Sequence, residues 1–475
     1  MQTRSFYIAG NWRLGDDTFS VRSPYHGDLV AEVGVPTDED VEEAMAAATA
    51  VLKESQRLAN HTRADALTHI SRRIEERHEE LSELIAHEGG KPIKWASVEV
   101  TRAAFTFRWA AEEARRLGGT FERLDTDEPL GSRAAIIRRF PYGPVLGIAP
   151  FNWPINLVAH KVAPALAVGA PIVIKPATAT PLGALALAEL FDETGLPKGM
   201  FSVLPISGSR AEALVRDKRF GMVSFTGSSE VGWRIKGLAP EKRFALELGG
   251  NAGVIVHDDA DIDHAARRVA LGGYYQAGQT CVSVQRVLVQ SSVFDEFSQL
   301  LAKHVQSLKS GDPLDPTVDV GPLIDSSALD RVAAWVDEAI QGGAVALCGA
   351  ERKDPFYAPT VLINTQPEMR VVCEEIFGPV TTVTPYETFE GAINEINASR
   401  YGLHAGVFTR DLQRAFLAHR DLEVGGVILN DTSAFRADQM PYGGTKESGR
   451  GREGLRYAME EMTEPRILVL SDVAL

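Results

Sequence analysis

The stretch PIVIKPATATPLGALALAELFDETGLPKGMFSVL, residues 171–204, contains two short apolar runs separated by a helical segment. The β-branched run from Pro171 to Ile174 predicts a buried strand, and the run from Phe201 to Leu204 predicts the next one. Pro181 suits the first turn of the helix between them, and Gly195 suits its end. A strand, a helix and a strand in this order predict two parallel strands, with the helix packed on one face of their sheet.

The same alternation continues after this stretch. Met222 to Phe225 and Phe244 to Leu246 predict further strands, and a helix from about Glu230 separates them. A second series of strands and helices begins at Gly253 to Val256 and reaches Val427 to Asn430. We therefore predict an α/β fold in which a Rossmann-type, dinucleotide-binding domain is followed by a second α/β domain.

Capping patterns predict helices before the first series. Thr37 and Asp40 form a capping-box pattern directly before a helical run, and so do Thr62 and Asp65. The second run is expected to continue as one helix until Gly89. The first third of the chain is therefore predicted to be helical.

Two segments outside these series predict a small projecting sheet. Residues 120–140 carry strand-forming side chains at Ala134 to Ile137, and Ile467 to Leu470 near the C-terminus is similar. Because both segments are short and lie outside the two domains, we expect them to pair with each other.

The composition excludes several classes of protein. The chain has 475 residues, three cysteines and a formal net charge of −15. The acidic balance disfavours nucleic acid as a partner, and no apolar run is long enough for a membrane-spanning helix. Sparse cysteines without a CxxC or HExxH spacing indicate a reducing compartment and no bound metal. We therefore expect a soluble, cytoplasmic protein with no nucleic-acid or membrane partner.

Of the three cysteines, Cys281 has the surroundings that best suit a nucleophile. It ends the small polar loop Gly278-Gln279-Thr280-Cys281, whereas Cys348 is flanked by apolar residues and Cys373 precedes two glutamates. Nearby carboxylates disfavour a thiolate. On position alone, a buried structural cysteine remains the alternative reading.

Three further residues stand where strands or turns end and could carry chemistry. Glu247 is either a buried, hydrogen-bonded strut or a base with a raised pKa. Lys175 ends a predicted parallel strand, where ligands bind, although a lysine there can also extend to the surface. Asn152, between two prolines, also suits an Asx turn. The segment from Gly227 to Gly232 is similar to a pyrophosphate-binding loop but lacks the GxGxxG spacing.

A series of motifs occurs in register along nearly the whole chain. They are Phe151-Asn152-Trp153-Pro154, Ile174-Lys175-Pro176-Ala177, Phe225-Thr226-Gly227-Ser228, Glu247-Leu248-Gly249-Gly250, Gly278-Gln279-Thr280-Cys281, Glu374-Glu375-Ile376-Phe377-Gly378-Pro379 and Pro441-Tyr442-Gly443-Gly444. Together they resemble the aldehyde dehydrogenase superfamily, in particular its branch of lactaldehyde, semialdehyde and phosphonoacetaldehyde dehydrogenases. The resemblance implies an NAD(P)-dependent, non-acylating enzyme that oxidises an aldehyde to a carboxylic acid.

The resemblance also implies roles for individual residues. Cys281 would be the nucleophile, and the Asn152 side chain with the Cys281 N–H would stabilise the oxyanion. Glu247 would activate water to hydrolyse the thioester, and Lys175 with Glu375 would hold the riboses of the cofactor. The implied organisation is a dinucleotide-binding domain (1–119 and 141–248), a catalytic domain (249–460), and a bridging and oligomerisation segment (120–140 and 461–475).

The implied cofactor site is larger than these two ribose contacts. It consists of Pro150, Phe151, Trp153, Lys175, Ala177, Thr178, Phe225, Gly227, Ser228, Val231, Leu248, Gly249, Glu375 and Phe377. NAD-preferring members often have a glutamate where this chain has the neutral Thr178. We therefore expect NAD or NADP as the cofactor, with NADP accepted. The family usually forms dimers or tetramers through its projecting sheet, so we expect a homodimer or homotetramer.

Five residues are candidates for contact with a small-molecule aldehyde: Arg108, His160, Thr280, Phe435 and Arg436. The basic residues could bind an anionic group, but each has an alternative. Arg108 could pair with Glu112, His160 could be a core histidine, and Arg436 could pair with Asp438. Branches that act on phosphorylated aldehydes often have an arginine where this chain has Thr280. We therefore predict a short aldehyde, hydroxylated or singly anionic.

Two other functions stay open on the sequence. A cysteine-dependent esterase or acyltransferase would use Cys281 without a nucleotide, and it would need a histidine beside the thiol. A non-catalytic scaffold on the same fold would have no need for Cys281, Glu247 and Asn152 together.

Overall fold

Two large sheets organise the chain, whose computed structural model describes residues 3–472. The strands of the first sheet, in spatial order, are Gly449–Arg450, Arg243–Glu247, Met222–Thr226, Val145–Ile148, Ile172–Lys175, Phe201–Val203, Phe6–Ile8 and Asn11–Arg13. Those from Arg243–Glu247 to Phe201–Val203 are parallel, and chain order reverses beside Val145–Ile148. This is the doubly wound arrangement of a dinucleotide-binding domain.

The second sheet has the same character. In spatial order its strands are Val345–Cys348, Thr360–Ile363, Val380–Tyr386, Val284–Gln290, Ala252–Val256, His404–Phe408 and Gly426–Leu429. All neighbours are parallel except Val345–Cys348 and Thr360–Ile363. Each large sheet has its own apolar core, one built around Ile172–Lys175 and the other around Val284–Gln290. The predicted α/β fold with two such sheets is confirmed.

The projecting sheet is antiparallel. Its strands are Thr463–Ser471, Arg133–Pro141 and Thr120–Arg123, and Thr463 pairs with Pro141. The predicted pairing of the two segments is therefore confirmed, although both strands are longer than expected. The remaining strands are Thr3–Arg4, Asp17–Arg22 and Leu29–Val35 in one sheet, and the short pairs Arg352–Lys353 with Phe356–Tyr357 and Tyr401–Gly402 with Thr445–Lys446.

Helices cover the faces of the large sheets. They are Asp38–Ser55, Asn60–Glu76, His78–Gly89, Ile93–Arg116, Asn156–Val168, Leu182–Asp192, Gly208–Arg216, Ser229–Leu238, Ile262–Tyr274, Phe294–Gln306, Ser326–Gln341, Arg370–Cys373, Phe389–Asn397, Leu412–Asp421 and Leu455–Glu461. Within residues 3–472, none of these helices combines the length and the apolarity needed to cross a bilayer.

The helical segment before the first series is only partly as predicted. The capping box of Thr37 and Asp40 is present. The next helix was expected to be continuous, but it begins two residues before Thr62 and breaks at Arg77, where φ is −101°. Its second half does end at Gly89, because Gly90 adopts a left-handed conformation with φ 64°.

The prediction that the first third is helical is wrong for residues 3–35, which form strands. Phe6–Ile8 pairs antiparallel with Phe201–Val203, and Leu29–Val35 pairs with Asp17–Arg22. These strands are short, and the first depends on a partner almost 200 residues away, so local periodicity does not reveal it. The domain boundaries stay a prediction, and Gly449–Arg450 extends the first sheet from within residues 249–460.

Candidate active site

A cleft of about 1220 Å³ lies at the carboxyl ends of the parallel strands of the first sheet. It brings together most of the predicted site residues: Pro150, Phe151, Asn152, Trp153, Lys175, Ala177, Thr178, Phe225, Gly227, Ser228, Glu247, Leu248, Gly249, Thr280, Cys281, Glu375, Phe377 and Arg436. Ligands bind at this end of parallel sheets because the helices that follow the strands present their N-termini there. The cleft is therefore the candidate active site.

The thiol of Cys281 lies on a tightly folded loop after the helix Ile262–Tyr274. Gln276 and Ala277 on this loop are buried with positive φ angles of 53° and 54°. A side chain on Gly250 would have its Cβ 2.2 Å from the Cys281 carbonyl oxygen, so the neighbouring backbone needs a glycine to approach the loop this closely. The close approach of the Gly250 backbone therefore restricts the position of the half-buried thiol.

The electrostatic surroundings of Cys281 act in opposite directions on its thiol. Burial raises the pKa of Cys281 to about 12, whereas contact with Tyr442 and the charge of Arg436 oppose that rise. The hydroxyl of Tyr442 lies 3.0 Å from Sγ, in hydrogen-bond contact. The thiol is thus protonated in the free cleft, and its activation depends on the groups that favour the thiolate.

The side chain of Asn152 points to the same loop. Its Nδ2 donates a hydrogen bond of 2.9 Å to the carbonyl of Gln279, two residues before Cys281. The side chain of Gln276 donates in return to the Asn152 carbonyl. The Asn152 amide carries a second hydrogen, which this bond does not use. The Asn152 side chain therefore does not form the local Asx turn that was the alternative interpretation of the sequence.

Glu247 is the last residue of the strand Arg243–Glu247, and its carboxylate is buried. Among the described residues, neither of its oxygens has a hydrogen-bond partner, so it is not a hydrogen-bonded strut. Burial and the nearby Glu453 raise the pKa of Glu247 well above its usual value, against the opposing charges of Arg436 and Lys161. A buried carboxylate with a raised pKa suits a general base.

Glu453 is the nearby carboxylate that helps to raise the pKa of Glu247. It accepts a hydrogen bond of 2.9 Å from Arg436, and its other oxygen lies 3.4 Å from the ammonium of Lys161. Against the effect of burial, Lys161 and Arg436 lower the pKa of Glu453 to about 2. The negative charge of this buried group of four therefore resides on Glu453, and Glu247 can gain or lose a proton.

Lys175 and Glu375 stand in the cleft beside the phenyl rings of Phe151 and Phe377. Lys175 is buried at the end of its strand, and burial lowers its pKa. The carboxylate of Glu375 accepts a hydrogen bond of 2.8 Å from the Gly250 N–H, and burial raises its pKa to about 7. The two rings meet edge to face, with centroids 5.9 Å apart.

The turn after the strand Met222–Thr226 opens a helix towards the cleft. Ser228 is the N-cap of the helix Ser229–Leu238, and its hydroxyl accepts a hydrogen bond from the Val231 N–H. Val231 lies one turn inside this helix and outside the cleft lining. The neutral Thr178 is exposed at the cleft. Free helical N–H groups, a glycine and small side chains suit a bound phosphate.

Three of the candidate substrate residues lie outside the cleft lining. Arg108 is exposed with its guanidinium over the Phe105 ring, Phe435 is 48% exposed, and His160 is fully buried. Nε2 of His160 lies 2.9 Å from a carboxylate oxygen of Asp438, which makes it a core histidine. The prediction that Arg108 and His160 contact the substrate is therefore not supported by their positions.

Arg102 occupies the place that Arg108 was expected to fill. It lines the cleft from the same helix and binds Asp438 through two hydrogen bonds. The alternative pairing of Arg436 with Asp438 is not formed, because Arg436 pairs with Glu453. The two arginines are six residues apart and project from different faces of the helix. Sequence reasoning also missed Tyr442, although it lies in a quoted motif, because nothing local connects it with Cys281.

The surroundings of Cys281 bear on the alternative of a cysteine esterase. In the part of the chain that the structure describes, Sγ contacts the hydroxyl of Tyr442 and forms no hydrogen bond with a histidine. A cysteine esterase would need a histidine hydrogen-bonded to its thiol, and the described residues provide none at Sγ of Cys281.

The fold and the cleft define the class of this protein: an α/β protein with a dinucleotide-type cleft that contains a cysteine thiol. The chain belongs to the aldehyde dehydrogenase family, whose model matches residues 12–468. It is 42% identical over 466 residues to a 3-sulfolactaldehyde dehydrogenase of Priestia aryabhattai, and the alignment covers 98% of this chain and 97% of that protein. The predicted family is confirmed, and the chain is an enzyme.

Two solved structures extend the comparison. Aldehyde dehydrogenase 21 from Physcomitrella patens, in complex with the reaction product succinate, superimposes with a TM-score of 0.98 at 41% identity and 99% coverage of both chains. An NADP-dependent glyceraldehyde-3-phosphate dehydrogenase from Bacillus halodurans, complexed with NADP, has a TM-score of 0.96 at 35% identity and the same 99% coverage. The chain thus has the full fold of this family.

Proposed function

We propose that this chain oxidises a short aldehyde, hydroxylated or singly anionic, to its carboxylic acid with NAD or NADP. The observation that carries the proposal is the convergence of Cys281, Asn152 and Glu247 on one cleft that also contains Lys175 and Glu375. Oxidation through a thioester needs a thiol, an oxyanion donor and a base within one site.

The residues of the cleft fit a dinucleotide. The ammonium of Lys175 and the carboxylate of Glu375 are groups that bind ribose hydroxyls, and the turn at Gly227 and Ser228 suits the pyrophosphate. When bound, the cofactor supplies the acceptor for hydride. Thr178 presents no negative charge to a 2′-phosphate, which supports the use of NADP as well as NAD. The related structure complexed with NADP is consistent with this choice.

In the first half of the reaction, the thiolate of Cys281 forms a bond to the aldehyde carbon, and the aldehyde oxygen becomes an oxyanion. The free hydrogen of the Asn152 amide and the Cys281 N–H stabilise this oxyanion. Such donors contribute about 3 kcal/mol each in comparable sites. Departure of hydride from the same carbon leaves a thioester on Sγ.

In the second half, Glu247 takes a proton from a water molecule, whose oxygen attacks the thioester carbon. The carbon–sulfur bond breaks, Cys281 leaves as a thiolate, and the carboxylic acid is released. The raised pKa of Glu247 makes it a stronger base than an ordinary glutamate. Its burial also keeps the carboxylate free of competing hydrogen bonds until water arrives.

The substrate end of the cleft contains two arginines in different states. Arg102 is held by both oxygens of Asp438. Arg436 binds Glu453 through Nη2, but its buried Nε has no partner within the described ranges. One arginine of the cleft that is not held by both oxygens of a carboxylate suits one negative charge. A relative named for 3-sulfolactaldehyde, which carries a single sulfonate, and a related structure with succinate support a singly anionic aldehyde.

Assays with a panel of small aldehydes and each cofactor test the proposal. Formation of reduced nicotinamide should require an aldehyde and should be lost in Cys281→Ser, because a serine hydroxyl is a far weaker nucleophile at neutral pH. Ester hydrolysis without nucleotide, together with no reduced cofactor from any aldehyde, would overturn the proposal. Full-rate cofactor reduction by Cys281→Ser would overturn it as well.

The projecting sheet supports a homodimer or homotetramer. Phe121, Ile467, Leu468 and Val469 are 46–59% exposed on it, and the strand Thr463–Ser471 lies at its edge. Exposed apolar side chains beside a free strand edge are typical of a surface that a second chain covers.

A further inference from the structure

Tyr442 is held against the sulfur of Cys281 from several sides. Its hydroxyl lies 3.0 Å from Sγ, although the two residues are 161 positions apart. The guanidinium of Arg436 lies over the face of its ring, 3.7 Å from the centroid. The ring of His404 meets it edge to face at 4.9 Å. Because the tyrosine is 3% exposed, its hydroxyl has little freedom to turn elsewhere.

We propose that Tyr442 is a catalytic residue whose hydroxyl donates a hydrogen bond to the Cys281 thiolate and so increases the fraction of nucleophilic sulfur. The inference rests on the proposed function of Cys281 as the nucleophile. A neutral thiol can share the contact in either direction, but a thiolate can only accept. Hydrogen bonds to charged groups are stronger than those between neutral groups, so the contact favours the charged form. The thiol proton leaves to solvent through the open cleft.

The other groups around the sulfur do not replace this contact. Glu375 and Glu247 disfavour a thiolate by their charge, and Arg436 favours it. The guanidinium of Arg436, however, lies over the phenol ring, and its Nη2 donates a hydrogen bond to Glu453. His404 is buried near the ring of Tyr442, and burial lowers its pKa to about 4, so it contributes no charge at neutral pH. The phenol is therefore the hydrogen-bond donor in contact with Sγ.

The experiment measures alkylation of Cys281 by iodoacetamide as a function of pH in the full-length protein. Cys348 and Cys373 are replaced by serine so that one thiol reacts. Tyr442→Phe keeps the ring and removes the hydroxyl. Tyr274→Phe is the matched control, because Tyr274 is a fully buried tyrosine whose hydroxyl donates to Thr360 at 2.7 Å, away from the sulfur.

We expect Tyr442→Phe to slow alkylation about three- to tenfold at every pH below the thiol pKa. A pKa higher by one unit lowers the thiolate fraction about tenfold, and the greater nucleophilicity of the more basic thiolate recovers about threefold of this loss. Tyr274→Phe should leave the alkylation profile unchanged. The rate of aldehyde oxidation, measured as kcat/KM, should fall in Tyr442→Phe by a similar factor.

The sign of the effect decides the result. If Tyr442 only packed against the thiol, removing its hydroxyl would open space and would leave the alkylation rate unchanged or raise it, which would overturn the inference. A slower alkylation in a protein that oxidises no aldehyde would support the thiolate contact and refute the proposed function instead. Circular dichroism of each variant confirms that the comparison is made on folded protein.

Discussion

Replacing the buried base is the most direct test of the second half of the reaction. Glu247→Gln keeps the shape of the side chain but removes the proton acceptor. Since neither carboxylate oxygen has a hydrogen-bond partner in the described structure, the substitution breaks no native hydrogen bond. The charge of Glu453 stays compensated by Lys161 and Arg436. The variant should therefore fold and still form the thioester.

The expected magnitude follows from the single step that is lost. General-base catalysis contributes about 10²- to 10⁴-fold, or about 3–5 kcal/mol of transition-state stabilisation. The steady-state kcat should fall by this factor because thioester hydrolysis becomes limiting. The first turnover should still produce one reduced nicotinamide per active site, since the proposed mechanism gives Glu247 no part before hydrolysis.

Rapid mixing with aldehyde and cofactor, followed by the absorbance of reduced nicotinamide, separates the two phases. Mass spectrometry of the quenched protein should show the acyl group on the peptide that contains Cys281. The pH dependence has a defined sign. In the wild type, kcat should fall as pH decreases through the raised pKa of Glu247, because the carboxylate is then protonated. This limb should disappear in Glu247→Gln.

Glu395→Gln is the matched control, because burial also raises the pKa of this half-buried glutamate, which lies outside the cleft lining. It should change neither the burst nor the steady state. A Glu247→Gln variant that turns over at the wild-type rate would refute the assignment of the base. So would a variant without a burst, because that would place Glu247 before thioester formation.

Three further outcomes test the substrate end, the cofactor end and the assembly. Arg436→Ala should raise KM about tenfold or more for aldehydes that carry a carboxylate or sulfonate, because it removes a hydrogen bond to a charged group. The KM for neutral hydroxyaldehydes should rise far less, and equal changes in both KM values would contradict the anion contact. Thr178→Glu should lower kcat/KM with NADP about tenfold relative to NAD, because a carboxylate repels the 2′-phosphate; an unchanged cofactor ratio would contradict its place near that group. Leu468→Asp should shift the protein towards monomer in light scattering, because it places a charge on the exposed apolar sheet, and an unchanged mass would contradict an interface there.

Much of the fold follows from local patterns. The alternation of apolar runs and helices from Pro171 onward predicts parallel strands, because two parallel neighbours must be joined by a long crossover connection such as a helix. The capping box of Thr37 and the left-handed end at Gly90 also have local causes. The break at Arg77 and the strand Phe6–Ile8 do not, because each depends on what the segment packs against.

The chemical groups of the site were likewise readable in the sequence, because Cys281, Glu247, Asn152 and Lys175 stand in motifs with a recognisable order. What the sequence determined by itself is the set of candidate reactive groups and the class of sheet that carries them. The tertiary structure decided which distant side chains surround them. Helical periodicity indicates the apolar face of a helix but not which polar residue beside that face lines a cleft, and it therefore did not distinguish Arg102 from Arg108. Nor does it connect Tyr442 with the sulfur, because the two residues are 161 positions apart and come into contact only in the folded chain.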